Sequence, residues 1–131
     1  KQGIQTIPEQ AFQGYLQLKD VTIPSSVTTI NNKAFYACHG LTSIVIPNNI
    51  TTIGAETFAY CSKLTNITIP VSVKTIEKGA FEGCASLKEV YYSGKAKDWF
   101  AILIEENNEP LLNAEVLTGS EFQLEIIMRQ F

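Results

Sequence analysis

Residues 41–63 read Leu41-Thr-Ser-Ile44-Val-Ile46-Pro47-Asn-Asn-Ile50-Thr-Thr-Ile53-Gly-Ala-Glu-Thr-Phe58-Ala-Tyr-Cys61-Ser-Lys63, and the same pattern stands on both sides of them. Phenylalanine recurs at 12, 35, 58 and 81, a constant step of 23 residues. Ile7, Ile30, Ile53 and Ile76 keep that step, as do Leu18, Leu41, Leu64 and Leu87. So do Val21, Ile44, Ile67 and Val90, and then Ile23, Ile46, Ile69 and Tyr92. Pro24, Pro47 and Pro70 are in phase, and so are Val27, Ile50 and Val73. Cys38, Cys61 and Cys84 complete the set, with Tyr15 in the first copy. This many in-phase positions mark a repeat architecture.

The unit dictates its own shape. Leu41, Ile44 and Ile46 give an L-x-x-L-x-L spacing, and Ile44 and Ile46, two apart, share one face of a strand. Ser43 and Val45 point the other way. Pro47 ends the strand because it has no N–H for a neighbour. Ile50-Thr-Thr-Ile53 is a second short β-branched segment, and a turn or 3₁₀-like stretch carrying Phe58 returns the chain to the next Leu. Each unit is one coil, and a coil alone cannot bury its apolar face. Stacking coils at ~4.8 Å pairs the strands in parallel and closes a continuous core. The expected fold is an α/β-type, right-handed leucine-rich-repeat solenoid with 23-residue coils, dominated by short parallel β-strands.

The repeats run as a partial copy over 1–17, full copies over 18–40, 41–63 and 64–86, and a partial copy over 87–93. After Tyr91-Tyr92 the pattern decays, since Ser93 replaces the proline. Residues 94–118 are expected to form a C-terminal cap. The Ser93-to-Leu103 stretch reads as a short helix with Trp99 over the last Phe rung, and Leu111–Leu112 with Ala114–Leu117 read as a last strand. No N-terminal cap is visible. The chain opens mid-repeat with no initiator Met and no signal-peptide pattern, so an excised or processed piece is expected. Residues 119–131 match nothing in the repeat, and Gly-Ser-Glu-Phe is what two adjacent cloning sites encode, so this tail is read as vector-derived.

Bulk composition narrows the function. The chain has 131 residues, 45% of them hydrophobic, which suits one folded domain. Ten Lys+Arg against thirteen Asp+Glu leave a net charge of −3 and no basic face for phosphates, so nucleic-acid binding is not expected. No apolar run approaches the ~20 residues that span a bilayer.

The unit L-x-x-I-x-I-P-x-x-V/I-x-x-I-x-x-x-A-F-x-x-C resembles the BspA-like class of leucine-rich repeats. The residues carrying the likeness run from Ile7 to Tyr92, and with the Tyr91-Tyr92-Ser-Gly…Trp99 segment it covers roughly residues 4–118. The departures are Tyr15 for Cys, Thr57 for Ala, and Tyr92-Ser93 for Ile-Pro. The resemblance implies a surface or secreted protein of a bacterium or protist, extracellular or at the cell surface. It further implies a non-enzymatic protein-binding or adhesion role toward a protein partner, such as a host matrix or cell-surface protein. The alternative is a structural spacer within a larger surface protein.

No chemistry-bearing constellation emerges. One Cys per coil is not the close pairing of a zinc site, and the register places the three as buried free thiols in an internal ladder. His39 stands alone in a polar turn without triad partners. Asp20 and Glu89 share a register position three coils apart, roughly 14 Å at strand spacing, too far for a glycosidase pair. No cofactor and no metal site are expected. Asn49-Ile-Thr51 and Asn66-Ile-Thr68 match the glycosylation sequon. The candidate protein-binding face is the outward side of the strands: Asp20, Thr22, Ser43, Val45, Asn66, Thr68, Glu89 and Tyr91. Tyr91 beside Glu89 is the candidate aromatic anchor. A second candidate surface is the edge bearing Thr28-Thr29, Thr51-Thr52 and Lys74-Thr75. A plain solvated sheet is the alternative to both.

Overall fold

A computed structural model describes residues 3–119. The remainder of the tail read as vector-derived, residues 120–131, lies outside the described residues. Two strands alternate along each coil. The first kind is β2 (Asp20–Thr22), β4 (Ser43–Val45), β6 (Asn66–Ile69) and β8 (Glu89–Tyr92), joined at the end by β10 (Glu115–Thr118). The second is β1 (Thr6–Ile7), β3 (Thr29–Ile30), β5 (Thr52–Ile53), β7 (Thr75–Ile76) and β9 (Leu103–Ile104). The first set makes one parallel five-stranded sheet in the order β10-β8-β6-β4-β2. Its register joins Asp20, Ser43, Asn66 and Glu89 in one row and Val21, Ile44, Ile67 and Val90 in the next. The chain is a parallel-strand solenoid whose coils follow the 23-residue repeat.

The in-phase residues make the interior. Leu41, Leu64, Ile44, Ile67, Ile46, Ile69, Val27, Ile50 and Val73 are all buried. After each large-sheet strand the proline carbonyl accepts the N–H three residues on, at Pro24–Val27, Pro47–Ile50 and Pro70–Val73, closing the turn into the short strand. Phe12, Phe35, Phe58 and Phe81 stack face to face with centroids 5.3, 5.4 and 5.5 Å apart. Truncating one inner rung to alanine costs about 3–5 kcal/mol.

The Phe-bearing stretch is neither strand nor helix, yet it forms a third ladder. Gln10, Phe12 and Gly14 donate to the carbonyls of Asn32, Ala34 and Tyr36 in the next coil. Lys33, Phe35 and Ala37 donate likewise to Ala55, Thr57 and Ala59, and Glu56, Phe58 and Tyr60 to Lys78, Ala80 and Glu82. Intervening residues donate three back within their own coil, as Ala34 does to Asn31 and Cys38 to Phe35. This alternation bends the backbone into the left-handed region at two places per coil. One is Gln10, Lys33, Glu56 and Gly79 (φ 56–64°), the other Gly14, Ala37, Tyr60 and Gly83 (φ 58–75°). A side chain there costs about 1 kcal/mol that glycine avoids.

The three thiols are free and buried, as the register implies. They also hydrogen-bond. Cys38, Cys61 and Cys84 direct Sγ to the carbonyls of Phe12, Phe35 and Phe58 in the preceding coil, at 3.1, 3.2 and 3.1 Å. Burial pushes all three thiols up, Cys84 to about 12. Thr57, the in-phase departure from Ala, is buried with Oγ1 donating to the Gly54 carbonyl at 2.8 Å.

Residues 94–118 differ from the expected lid. They make one more, longer coil: α1 (Ala96–Phe100), then β9 paired with β7, then α2 (Glu109–Asn113), then β10 paired with β8. Leu111 and Leu112 are thus helical, not strand, because Pro110 in the first turn favours a helix start there. Trp99 does not cover the Phe stack. It meets Tyr92 edge to face at 5.2 Å, beyond the large-sheet strand and not at the Phe stretch. The Phe ladder is ended by Asn108, which is buried. Its Oδ1 accepts the Phe81 N–H at 2.9 Å, where earlier coils supply a backbone carbonyl, and its Nδ2 donates to the carbonyls of Glu77 and Glu105 at 3.1 and 2.9 Å. Leu111 then donates its N–H to the Asn108 carbonyl as each Cys does to its Phe, so it occupies the Cys position.

Asn108→Ala leaves the buried Phe81 N–H without an acceptor and should lower unfolding free energy by about 2–3 kcal/mol, read from the denaturation midpoint at unchanged m-value. Ala37→Gly relieves left-handed strain and should raise stability by about 0.5–1 kcal/mol, against the loss that glycine causes in ordinary strand or helix. The native thiols should resist iodoacetamide and all three should react once the chain is unfolded. Because the folded-state thiols sit above their ordinary value of 9.0, their contribution to stability is complete below about pH 9 and drains away as pH climbs toward about 12. A flat midpoint across that range, or labelling of the native protein, would contradict this.

Candidate binding face

The outward side of the large sheet carries two columns of side chains. The register aligns Asp20, Ser43, Asn66, Glu89 and Glu115 in one, and Thr22, Val45, Thr68, Tyr91 and Leu117 in the other. All eight residues named from the sequence therefore fall on one face. Two more join them, Glu115 and Leu117, because β10 extends the sheet. Sequence periodicity missed these two, since the step from Glu89 to Glu115 is 26 residues and not 23.

Neighbouring side chains satisfy much of the polarity. Ser43 Oγ and Thr42 Oγ1 donate to Asp20 Oδ1 at 2.9 and 3.2 Å, and Thr65 Oγ1 donates to the Thr42 carbonyl. Tyr91 Oη donates to Glu89 Oε1 at 2.8 Å, so the carboxylate fixes the phenol. Tyr91 is only 8% exposed, however, so its ring is not the open anchor that the sequence reading made of it. The exposed apolar group on this face is Val45, 53% exposed on β4, next to the edge strand β2.

The threonine edge lies on the side of the short strands. Thr28, Thr29 and Thr51 are exposed, and Thr52 and Thr75 half-buried. His39 is exposed in the turn before β4. Among the described residues no group of three or more His, Cys, Asp or Glu is placed to hold a metal ion. Asp20 and Glu89 are separated by β4 and β6 and form no pair. Of the described helices, none is long and apolar enough to cross a membrane.

Comparison with known proteins places this architecture. Over residues 1–100 the chain matches six copies of the BspA type leucine-rich repeat region. None of the curated proteins matches it. Solved structures do. A leucine-rich cell surface protein of Faecalibacterium prausnitzii is 32% identical with a TM-score of 0.63, covering 79% of this chain and 33% of that one. A leucine-rich repeat protein of Eubacterium ventriosum is 28% identical with a TM-score of 0.74, covering 88% of this chain and 30% of that one. A leucine-rich repeat protein of Bacteroides ovatus is 30% identical with a TM-score of 0.69, covering 89% and 29%. The chain thus spans about a third of the length of each of these three. The 23-residue coils, the parallel stack and the match over most of its length agree that the chain belongs to the BspA-type leucine-rich repeat family.

Proposed function

We propose that the chain is a non-enzymatic binding module of a bacterial cell-surface or secreted protein, and that it engages a protein partner through the outward face of the large sheet. The observation that carries this reading is the five-strand face itself. It is regular, reaches across the stack, and presents small polar groups around Val45. Small side chains on a rigid sheet let a partner backbone approach closely, and an exposed apolar contact within a polar surround is the arrangement that concentrates binding energy. The extracellular location is carried by the likeness to a cell surface protein. The non-enzymatic reading is supported by the likeness to leucine-rich repeat proteins over most of the chain. The second reading, a spacer that holds other parts of a longer protein apart, is favoured by the self-satisfied hydrogen bonding of Asp20, Ser43 and Thr42 on that face.

Val45→Glu with Thr68→Glu changes only the outward columns and should leave the thermal midpoint unmoved. Against a panel of immobilised extracellular-matrix proteins, the parent chain should bind at least one, and the double variant should bind it more weakly by about tenfold or more. Unchanged affinity in the variant removes the site from this face. Absence of binding across the panel favours the spacer.

A further inference from the structure

The short-strand side of the stack is not continuous. Between the Phe12 and Phe35 coils, Thr28 and Thr29 donate to the Gln5 carbonyl at 2.8 and 3.2 Å, Asn31 to Ile7 at 3.0 Å, and Ser26 Oγ to Ile4 at 2.6 Å. Between the Phe58 and Phe81 coils the same four recur: Lys74 and Thr75 to Thr51 at 2.8 and 3.3 Å, Glu77 to Ile53 at 2.9 Å, and Ser72 Oγ to Ile50 at 2.7 Å. Between the Phe35 and Phe58 coils none of the four is formed, and β3 and β5 fall in separate sheets.

Three residues mark this seam, and one of them, Asn49, removes one of the four bonds outright. Asn49 stands where the flanking coils have Ser26 and Ser72, so the hydroxyl that would meet the Val27 carbonyl is missing. Asn32 turns its Oδ1 onto the Ala55 N–H at 3.0 Å. Thr57 holds the Gly54 carbonyl through both its N–H and its hydroxyl, at 3.3 and 2.8 Å. What opens is a polar cleft of about 280 Å³ lined by Thr28, Thr29, Asn31, Asn32, Thr51 and Thr52. Elsewhere the same two coils are fully joined. β2 and β4 pair in register, Phe35 and Ala37 donate to Thr57 and Ala59, and the Phe35 and Phe58 rings stack at 5.4 Å.

We propose that this seam is a lateral hinge, in which the Phe12 and Phe35 coils swing against the rest of the stack about the intact large sheet and Phe column. A break confined to one side leaves a rotation whose axis lies along the other, so opening and closing of the cleft changes the curvature of the outward face. Hinges of this type need few residues and no loss of core. The hinge stands whether or not that face binds a partner.

Two measurements on the whole chain test it. In amide hydrogen exchange, Thr51, Thr52 and Gly54 should exchange faster by about tenfold or more than their equivalents on both flanks, Thr28, Thr29 and Asn31, and Lys74, Thr75 and Glu77. Spin labels at Thr29→Cys and Thr75→Cys, two coils apart across the seam, should give a broader distance distribution than labels at Thr52→Cys and Leu103→Cys, two coils apart on one side of it. The buried native thiols stay unlabelled. Equal exchange, or equal widths, overturns the hinge. Asn49→Ser restores the serine of both flanking seams and Asn32→Ala the alanine of the following one (Ala55), and the pair should slow exchange at Thr51 and Thr52 and narrow the Thr29–Thr75 distribution. No change in that variant would also count against the proposal.

Discussion

Much of the peptide backbone of this protein finds its hydrogen-bond partners only one coil away. The Phe-bearing stretch makes that dependence visible. It has too few internal bonds to be a helix and the wrong dihedrals for a strand, and in the Phe12, Phe35 and Phe58 coils three of its N–H groups are satisfied only by carbonyls of the next. Buried amides left without partners cost about as much as a lost hydrogen bond each. No coil of this kind is stable alone, and stacking is a condition of its backbone geometry as well as of its apolar side chains. The strain at the left-handed positions follows, because residues such as Lys33, Ala37 and Glu56 are held there by the neighbour that receives their N–H.

That constraint explains how the last coil differs. In the last coil the carbonyl that stands where Ala34, Thr57 and Ala80 accept, that of Asn108, takes the N–H groups of Leu111 and Leu112 and not that of Phe81. The Asn108 carboxamide replaces it. A side chain mimics a peptide group here, and its amide hydrogens gather the loop carbonyls of Glu77 and Glu105 around it. The stack ends by substitution of one amide for another.

The core, the two strands per coil, the register and the outward face were legible because all are consequences of phase. A residue such as Ile67 is buried because it stands 23 after Ile44, and nothing else needs to be known. The features that escaped act through backbone geometry or through broken phase. Asn108 carries no hydrophobic signal. Glu115 and Leu117 lie on the face at a step the repeat does not use. Asn49 reads as one more polar turn residue, and only the hydroxyl bonds of Ser26 and Ser72 show what it omits. The Tyr91 ring was placed on the correct side of the sheet, but its burial depends on neighbours in three dimensions.

The backbone hydrogen bonds between coils along the Phe-bearing arc all run one way, each coil giving N–H groups to its successor and receiving them from its predecessor. Along this arc the peptide dipoles add, as they do in a helix, while in the parallel strands successive amides point to opposite neighbours. The two sides of each coil are therefore chemically unlike along this arc: one turns a row of carbonyls to the coil before, the other a row of N–H groups to the coil after. Two such coils meeting at like sides would set acceptor against acceptor. Polarity built into one irregular stretch of backbone thus gives every coil a head and a tail.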